Sequence, residues 1–175
     1  MNTNTLKKAT LNDIEILQFI GRKTFYETFI TGNTEDDMKK YLDERFSTEK
    51  LTNELNEKDS EFYVAFDNET VIGYLKTNTG KAQTEAQNEN ALEVERIYVA
   101  KEYHGKKVGQ LFYDKALEIA ISINAPYLWL GVWEENPRAI NFYKKNGFEE
   151  FDKHIFKLGN DEQTDIMMKK NLSFQ

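Results

Sequence analysis

Apolar and polar positions along this chain follow two different periods, and the switches between them mark its elements. Thr5 to Ala9 has the pattern of a short strand, and Thr10 with Asp13 three residues later has the capping-box spacing that opens a helix. Ile14, Leu17, Gly21, Phe25 and Phe29 recur at helical spacing and predict a long helix with one core-facing stripe. Thr34 with Asp37 opens a second helix striped by Met38, Tyr41, Leu42 and Phe46. Ser47 precedes a short third one carrying Leu51 and Leu55. The acidic run Glu35-Asp36-Asp37 falls on the second helix's first turn, where it supports the helix dipole. From Glu61 the period becomes two: Phe62 to Phe66, a turn at Asp67-Asn68-Glu69, then Val71 to Leu75 predict an antiparallel hairpin. Thr77 to Asn90 is polar and nearly devoid of apolar residues, which predicts a solvated loop.

The second half opens on Leu92 to Val99, a strand rich in β-branched and aromatic residues. Leu111, Phe112, Ala116, Ile119, Ala120 and Ile123 then define an amphipathic helix that ends near Asn124-Ala125-Pro126. Tyr127 to Val132 is a near-continuous apolar strand, as expected for one covered on both faces. Strand, helix and strand make a βαβ unit, so its two strands are expected to run parallel. Asn136-Pro137 has the residues of a helix start, and Gly147 those of its C-terminal stop. Phe148 to Phe156 and Thr164 to Leu172 read as a closing antiparallel pair, joined through Lys157-Leu-Gly-Asn-Asp-Glu. The whole predicts an α/β (α+β) fold, with residues 1–175 as a single domain and no internal repeat.

Composition narrows the chemistry. Cysteine is absent, which removes disulfides, thiolate nucleophiles and thiolate metal sites, and only His104 and His154 supply imidazole, so no metal centre is expected. The 23 basic residues against 30 acidic ones give a net charge of −7, which argues against general nucleic-acid binding and agrees with a cationic partner. No apolar run is long enough to cross a bilayer, and Met1 to Lys8 lacks the apolar core of a signal peptide, so a cytoplasmic protein with no membrane partner is expected. Open sheet edges would allow a homodimer.

Between the central strand and its helix lies Tyr103-His104-Gly105-Lys106-Lys107-Val108-Gly109. Strand, tight cationic loop and helix start together form a cradle for a polyanion such as a pyrophosphate. Helix amides point at the guest, two glycines let the backbone come close, and two lysines add charge of the right sign. The loop follows Ile97-Tyr98-Val99 and resembles the cofactor loop of the GNAT superfamily of acyl-CoA-dependent N-acyltransferases. Two positions depart from the family pattern: His104 stands for a leading Gln or Arg, and Lys107 for the first glycine. A second match, Asn136-Pro-Arg-Ala-Ile-Asn-Phe-Tyr-Lys-Lys-Asn-Gly-Phe148, is similar to the family's closing helix. The resemblance covers essentially the whole chain. It implies a mostly antiparallel mixed sheet with a central, splayed parallel strand pair flanked by helices. More narrowly, Trp129 to Asn136, Phe156 to Met167, Phe25-Tyr-Glu-Thr-Phe and Asn33 to Met38 resemble the PaiA-type spermidine/spermine acetyltransferases.

What the resemblance implies is acetyl-CoA as cofactor and a small cationic amine, a polyamine such as spermidine or spermine, as acceptor in a ternary complex. It assigns the pantetheine contacts to Ile97, Tyr98 and Val99. The pyrophosphate falls to His104, Gly105, Lys106, Lys107, Val108, Gly109 and Gln110, with a further contact from Asn136, whose simpler role is helix cap. His104 is thereby placed away from the thioester. Tyr143 matches the tyrosine near the thioester sulfur, both a cofactor contact and the proton donor, while Phe142 should face the core. In the RimI-type branch the base is a Glu on the second parallel strand, but Gly131 stands there. Glu93 and Glu95 remain as candidates, sharing the face of Ile97 and Val99 if the strand is regular and acting directly or through water; ordinary ion pairing accounts equally well for each. His154 either lines the amine pocket or is an exposed strand residue. A lysine or peptide N-acetyltransferase, and a non-catalytic acyl-CoA-sensing regulator, are the rival readings on the same scaffold.

Overall fold

In the computed structural model, which describes residues 4–159 and 161–173, the strands form one seven-stranded sheet in the order β1-β2-β3-β4-β5-β7-β6. They span Thr5–Lys8 (β1), Ser60–Asp67 (β2), Thr70–Asn78 (β3), Leu92–Val99 (β4), Tyr127–Trp133 (β5), Glu149–Leu158 (β6) and Asp161–Asn171 (β7). Helices cover Ile14–Phe29 (α1), Glu35–Arg45 (α2), Thr48–Asn56 (α3), Val108–Ser122 (α4) and Pro137–Lys145 (α5). Asn160, in the predicted final turn, and Met1 to Thr3 of the leading segment lie outside the described residues. No helix among the described residues is long and apolar enough to cross a membrane.

Helix starts form where the caps predict them. Thr10 and Asp13 close a reciprocal capping box on a single 3₁₀ turn, Leu11–Asp13, that runs into α1. Thr34, Ser47 and Asn136 accept from the backbone amides of Asp37, Lys50 and Ala139, each at 3.1 Å. The sheet separates two cores. Val94, Phe112, Ala116, Leu130, Ile140 and Met168 belong to the layer under α4 and α5, while Leu17, Ile20, Phe25, Met38, Phe46 and Tyr74 belong to the layer under α1 to α3.

All neighbouring strands run antiparallel except β4 and β5, which are parallel and pair only at Leu92↔Leu128 and Glu93↔Trp129. Beyond that point the two strands part. β5 keeps its partner β7 along its whole length, so the opening is confined to the middle of the sheet.

Two sequence expectations are overturned here. Thr77 and Asn78 are not loop: they are the buried end of β3, with Asn78 directly opposite Glu93. Asn78 reads as loop in the sequence because its partners are two carboxylates of another strand, and Thr77 reads with it, although it pairs with Val94. The alternation along β4 also breaks. Lys76 pairs with Arg96 and Thr77 with Val94, which leaves Glu95 as the extra residue of a bulge. Leu92 and Val94 therefore share the α4 side with Ile97 and Val99, whereas Glu93 and Glu95 do not lie on that face. They turn toward the side where Tyr98 packs against α1.

Candidate active site

A cleft of about 270 Å³ opens where β4 and β5 diverge. Its aromatic wall comes from Phe25, Phe29, Tyr41, Tyr98, Trp133 and Phe156, whose rings pack at centroid distances between 4.4 and 6.4 Å. Its polar wall carries the acids Glu85, Glu93, Glu95 and Asp165, the cations Arg45 and Arg96 that face Glu95, and His154. Tyr143 lines it from α5, braced edge-on by Phe142 and Phe148. Burial pushes the Tyr143 phenol well above its ordinary value, so it stays protonated and able to donate.

The two β4 carboxylates have opposite surroundings. Glu95 is gripped by Lys76 at 2.6 Å, Arg96 at 2.8 Å and Arg45 at 3.0 Å. Burial would raise its pKa, but these three cations outweigh burial and hold it far below the usual carboxylate range. Arg96 and Lys76 reach on to Glu54 of α3 at 3.1 and 3.4 Å, extending the pairing into one buried network. Glu93, only 2% exposed, has no Lys or Arg partner among the described residues. It accepts from the Asn78 side-chain amide and from the Thr84 backbone amide, both at 2.9 Å, and from the Thr84 hydroxyl. Burial and the neighbouring Glu95 charge outweigh these hydrogen bonds and raise its pKa. Asn78 links the two, donating also to Glu95 at 2.7 Å.

Asn78, Thr84, Glu85 and Asp165 escape sequence reasoning. The loop that carries Thr84 and Glu85 folds back over the sheet, fixed by a 2.7 Å bond from the Trp129 indole to Gln83 and by Tyr127 bonding to Gln87 and Asn88. On the far wall, His154 and Asp165 are cross-strand partners on β6 and β7. The imidazole stands 3.8 Å from Asp165 and 3.6 Å from Glu85, beyond hydrogen-bond range, and its buried Nδ1 has no hydrogen-bond partner. His154 thus lines the cleft rather than the outer surface. Burial raises the Asp165 carboxyl, only partly offset by His154. A Cβ on Gly131 would come within 3.4 Å of Asp165 and 3.7 Å of His154, so the bare glycine leaves that wall open.

A second cleft, about 260 Å³, is lined by Glu27, Val99, Lys101, His104, Glu135 and Arg138 and shares Thr28, Trp133 and Asn136 with the first. The predicted cradle borders it. Gly105 turns at φ +77° with nothing within 4 Å of its missing side chain, and Lys107 takes φ +64° as the N-cap of α4 without a side-chain cap bond. The amides at the start of α4, from Val108, Gly109 and Gln110, are those a helix leaves without intrahelical partners. His104 bonds the Val99 carbonyl at 2.8 Å, pinning the loop to the end of β4, and burial lowers its pKa. Lys106 lies over the Tyr103 ring at 4.6 Å. The Gln110 side chain instead ties to Asp114 and Asn146, and the Tyr98 side chain turns into the aromatic wall. An open turn, an uncapped helix start and an adjoining parted strand pair fit an extended nucleotide thioester such as acetyl-CoA.

Residues 23–148 match the acetyltransferase (GNAT) family, and the chain belongs to that family of acetyl-CoA-dependent N-acetyltransferases. It is 40% identical over 169 residues to an uncharacterised N-acetyltransferase of Lactobacillus delbrueckii subsp. lactis, covering 95% of this chain and 98% of that protein. It is 28% identical over 148 residues to a spermidine N(1)-acetyltransferase of Thermoplasma acidophilum, covering 82% of this chain and 87% of that one. Among solved structures, the PaiA N-acetyltransferase of Thermoplasma acidophilum in complex with coenzyme A superposes with a TM-score of 0.80 at 26% identity, over 97% of this chain and 99% of the other.

Proposed function

We propose that this protein transfers an acetyl group from acetyl-CoA to a primary amine of a small polycation of the spermidine type. One observation carries the choice of acceptor. Three carboxylates of the cleft, Glu85, Glu93 and Asp165, have no Lys or Arg partner among the described residues, while Glu95 beside them has three. A cleft with uncompensated negative charge and an aromatic wall favours ammonium groups on a methylene chain, through charge and through cation–π contact. The likeness to a spermidine acetyltransferase supports the same acceptor.

Acetyl-CoA supplies the acetyl group as an activated thioester. Backbone groups of Ile97 to Val99, the loop from His104 to Gln110, and Asn136 would hold it in the second cleft and the parted strands. In this reading Glu93 takes the proton from the amine, because it is the β4 carboxylate whose pKa is raised rather than suppressed. Glu95 stays ionised as the anchor of the buried cations. Tyr143 keeps its proton at the hydroxyl for the departing sulfur.

Asp165→Asn tests the acceptor. With acetyl-CoA saturating, its KM for spermidine is expected to rise about tenfold, the worth of one charge-assisted hydrogen bond. The KM for a monoamine of equal length should barely move. An equal rise for both amines would mean that Asp165 does not read the second charge.

A further inference from the structure

Glu93 is the least accessible carboxylate of the cleft, and something must connect it to an amine in the open space. We propose that Thr84 is a proton relay between the substrate amine and Glu93. The proposal rests on the amine-acetyltransferase reading above.

The geometry supplies each part. Glu93 Oε2 is taken by two donors, the Asn78 side-chain amide and the Thr84 backbone amide, both at 2.9 Å. Its other oxygen, Oε1, receives the Thr84 hydroxyl. Thr84 therefore holds the carboxylate twice, and the backbone bond fixes where the hydroxyl stands. Thr84 is exposed and lines the same cleft, while Glu93 is 2% exposed, so the hydroxyl forms the solvent side of the pair. A threonine hydroxyl has one proton and two lone pairs. The proton points to Glu93, and no donor among the described residues occupies the oxygen. Neighbouring Gln83 keeps the loop in place through Trp129 Nε1 at 2.7 Å and through the carbonyls of Gly80 and Asn88 at 3.2 and 3.1 Å.

The step conserves atoms and charge. An N–H bond of the substrate ammonium breaks and its electron pair stays on nitrogen, which becomes the nucleophile. The proton forms a new O–H bond on Thr84 Oγ1 as the original Thr84 proton passes to Glu93 Oε1. Thr84 ends as a neutral hydroxyl and Glu93 as a carboxylic acid. The Thr84 backbone amide keeps its bond to Oε2 throughout, so the carboxyl does not drift as its charge is lost.

Steady-state kinetics on three variants test the relay. Thr84→Val removes the hydroxyl but preserves shape and the backbone bond, and its kcat on spermidine is expected to fall about 10²-fold, the usual worth of positioned proton transfer. Thr84→Ser keeps the hydroxyl and should stay within about threefold of the parent on the same scale. Thr84→Ala stands in if Val perturbs the loop, and melting temperature and acetyl-CoA affinity check that each variant is intact. Wild-type kcat in Thr84→Val, or a Ser variant as impaired as Val, would overturn the relay. If the wild type releases no thiol with any amine, the acetyltransferase reading fails and takes the relay with it.

Discussion

At the scale of single residues, the account turns on two glutamates two positions apart that do opposite things. Burial and the neighbouring Glu95 charge raise the Glu93 pKa against the pull of its hydrogen bonds, so the acid limb of kcat/KM for the amine should lie above the ordinary Glu value of about 4.3. Glu93→Gln should lower kcat by about 10² or more and erase that limb; a pH profile with an unchanged limb would assign it to another group. Glu95 has the reverse linkage. Its folded pKa lies below the unfolded value, so it adds stability above about pH 4.3, and this stability is lost as pH falls toward its folded pKa. Glu95→Gln leaves Lys76, Arg96 and Arg45 short of a buried counter-charge and should cost about 3–5 kcal/mol at neutral pH. Denaturant melts should show that gap narrowing in acid, and a constant gap from pH 7 to 3 would contradict the assignment.

At the scale of elements, close packing between α1 and the end of α2 outweighs helix propensity. A Cβ on Gly21 of α1 would lie 2.3 Å from the buried Phe46 ring. Alanine would gain about 1 kcal/mol in helix propensity, and the overpacking costs about 1–3 kcal/mol. Gly21→Ala should therefore lower Tm, and a rise would mean that Phe46 yields freely. The same contrast between local and distant causes explains what the sequence made legible. Helix starts at Thr10, Thr34, Ser47 and Asn136 are set by side chains bonding two or three residues away, so they can be read from the chain alone. The hairpin and the parallel order of β4 and β5 follow from period and connection. The bulge at Glu95 is set by Lys76 and Thr77 on another strand, and it reversed the expected face of both glutamates. Asn78 reads as solvated loop, and the role of Thr84 within the loop goes unread, because the carboxylate each one binds lies 15 and 9 residues away along the chain.

At the scale of the whole molecule, one interruption in the sheet brings the two clefts together. β4 and β5 pair at two positions and then part, leaving one cleft toward the cationic loop and another toward the carboxylates, with Trp133 and Asn136 common to both. In the proposed reading, cofactor and amine enter from different sides and meet at Trp133 and Asn136, with Tyr143 on the amine side, an arrangement for direct transfer in a ternary complex. The overall charge of −7 favours the approach of a cation, and the cleft acids without a Lys or Arg partner among the described residues add the same preference locally. The most direct test is a competition: purified protein, acetyl-CoA and an equimolar mixture of spermidine, spermine, putrescine, a monoamine and a lysine peptide, with the acetylated products identified by mass spectrometry. The account predicts acetylspermidine or acetylspermine as the dominant early product, with the monoamine and peptide nearly untouched. Preferential acetylation of the peptide or the monoamine would contradict it.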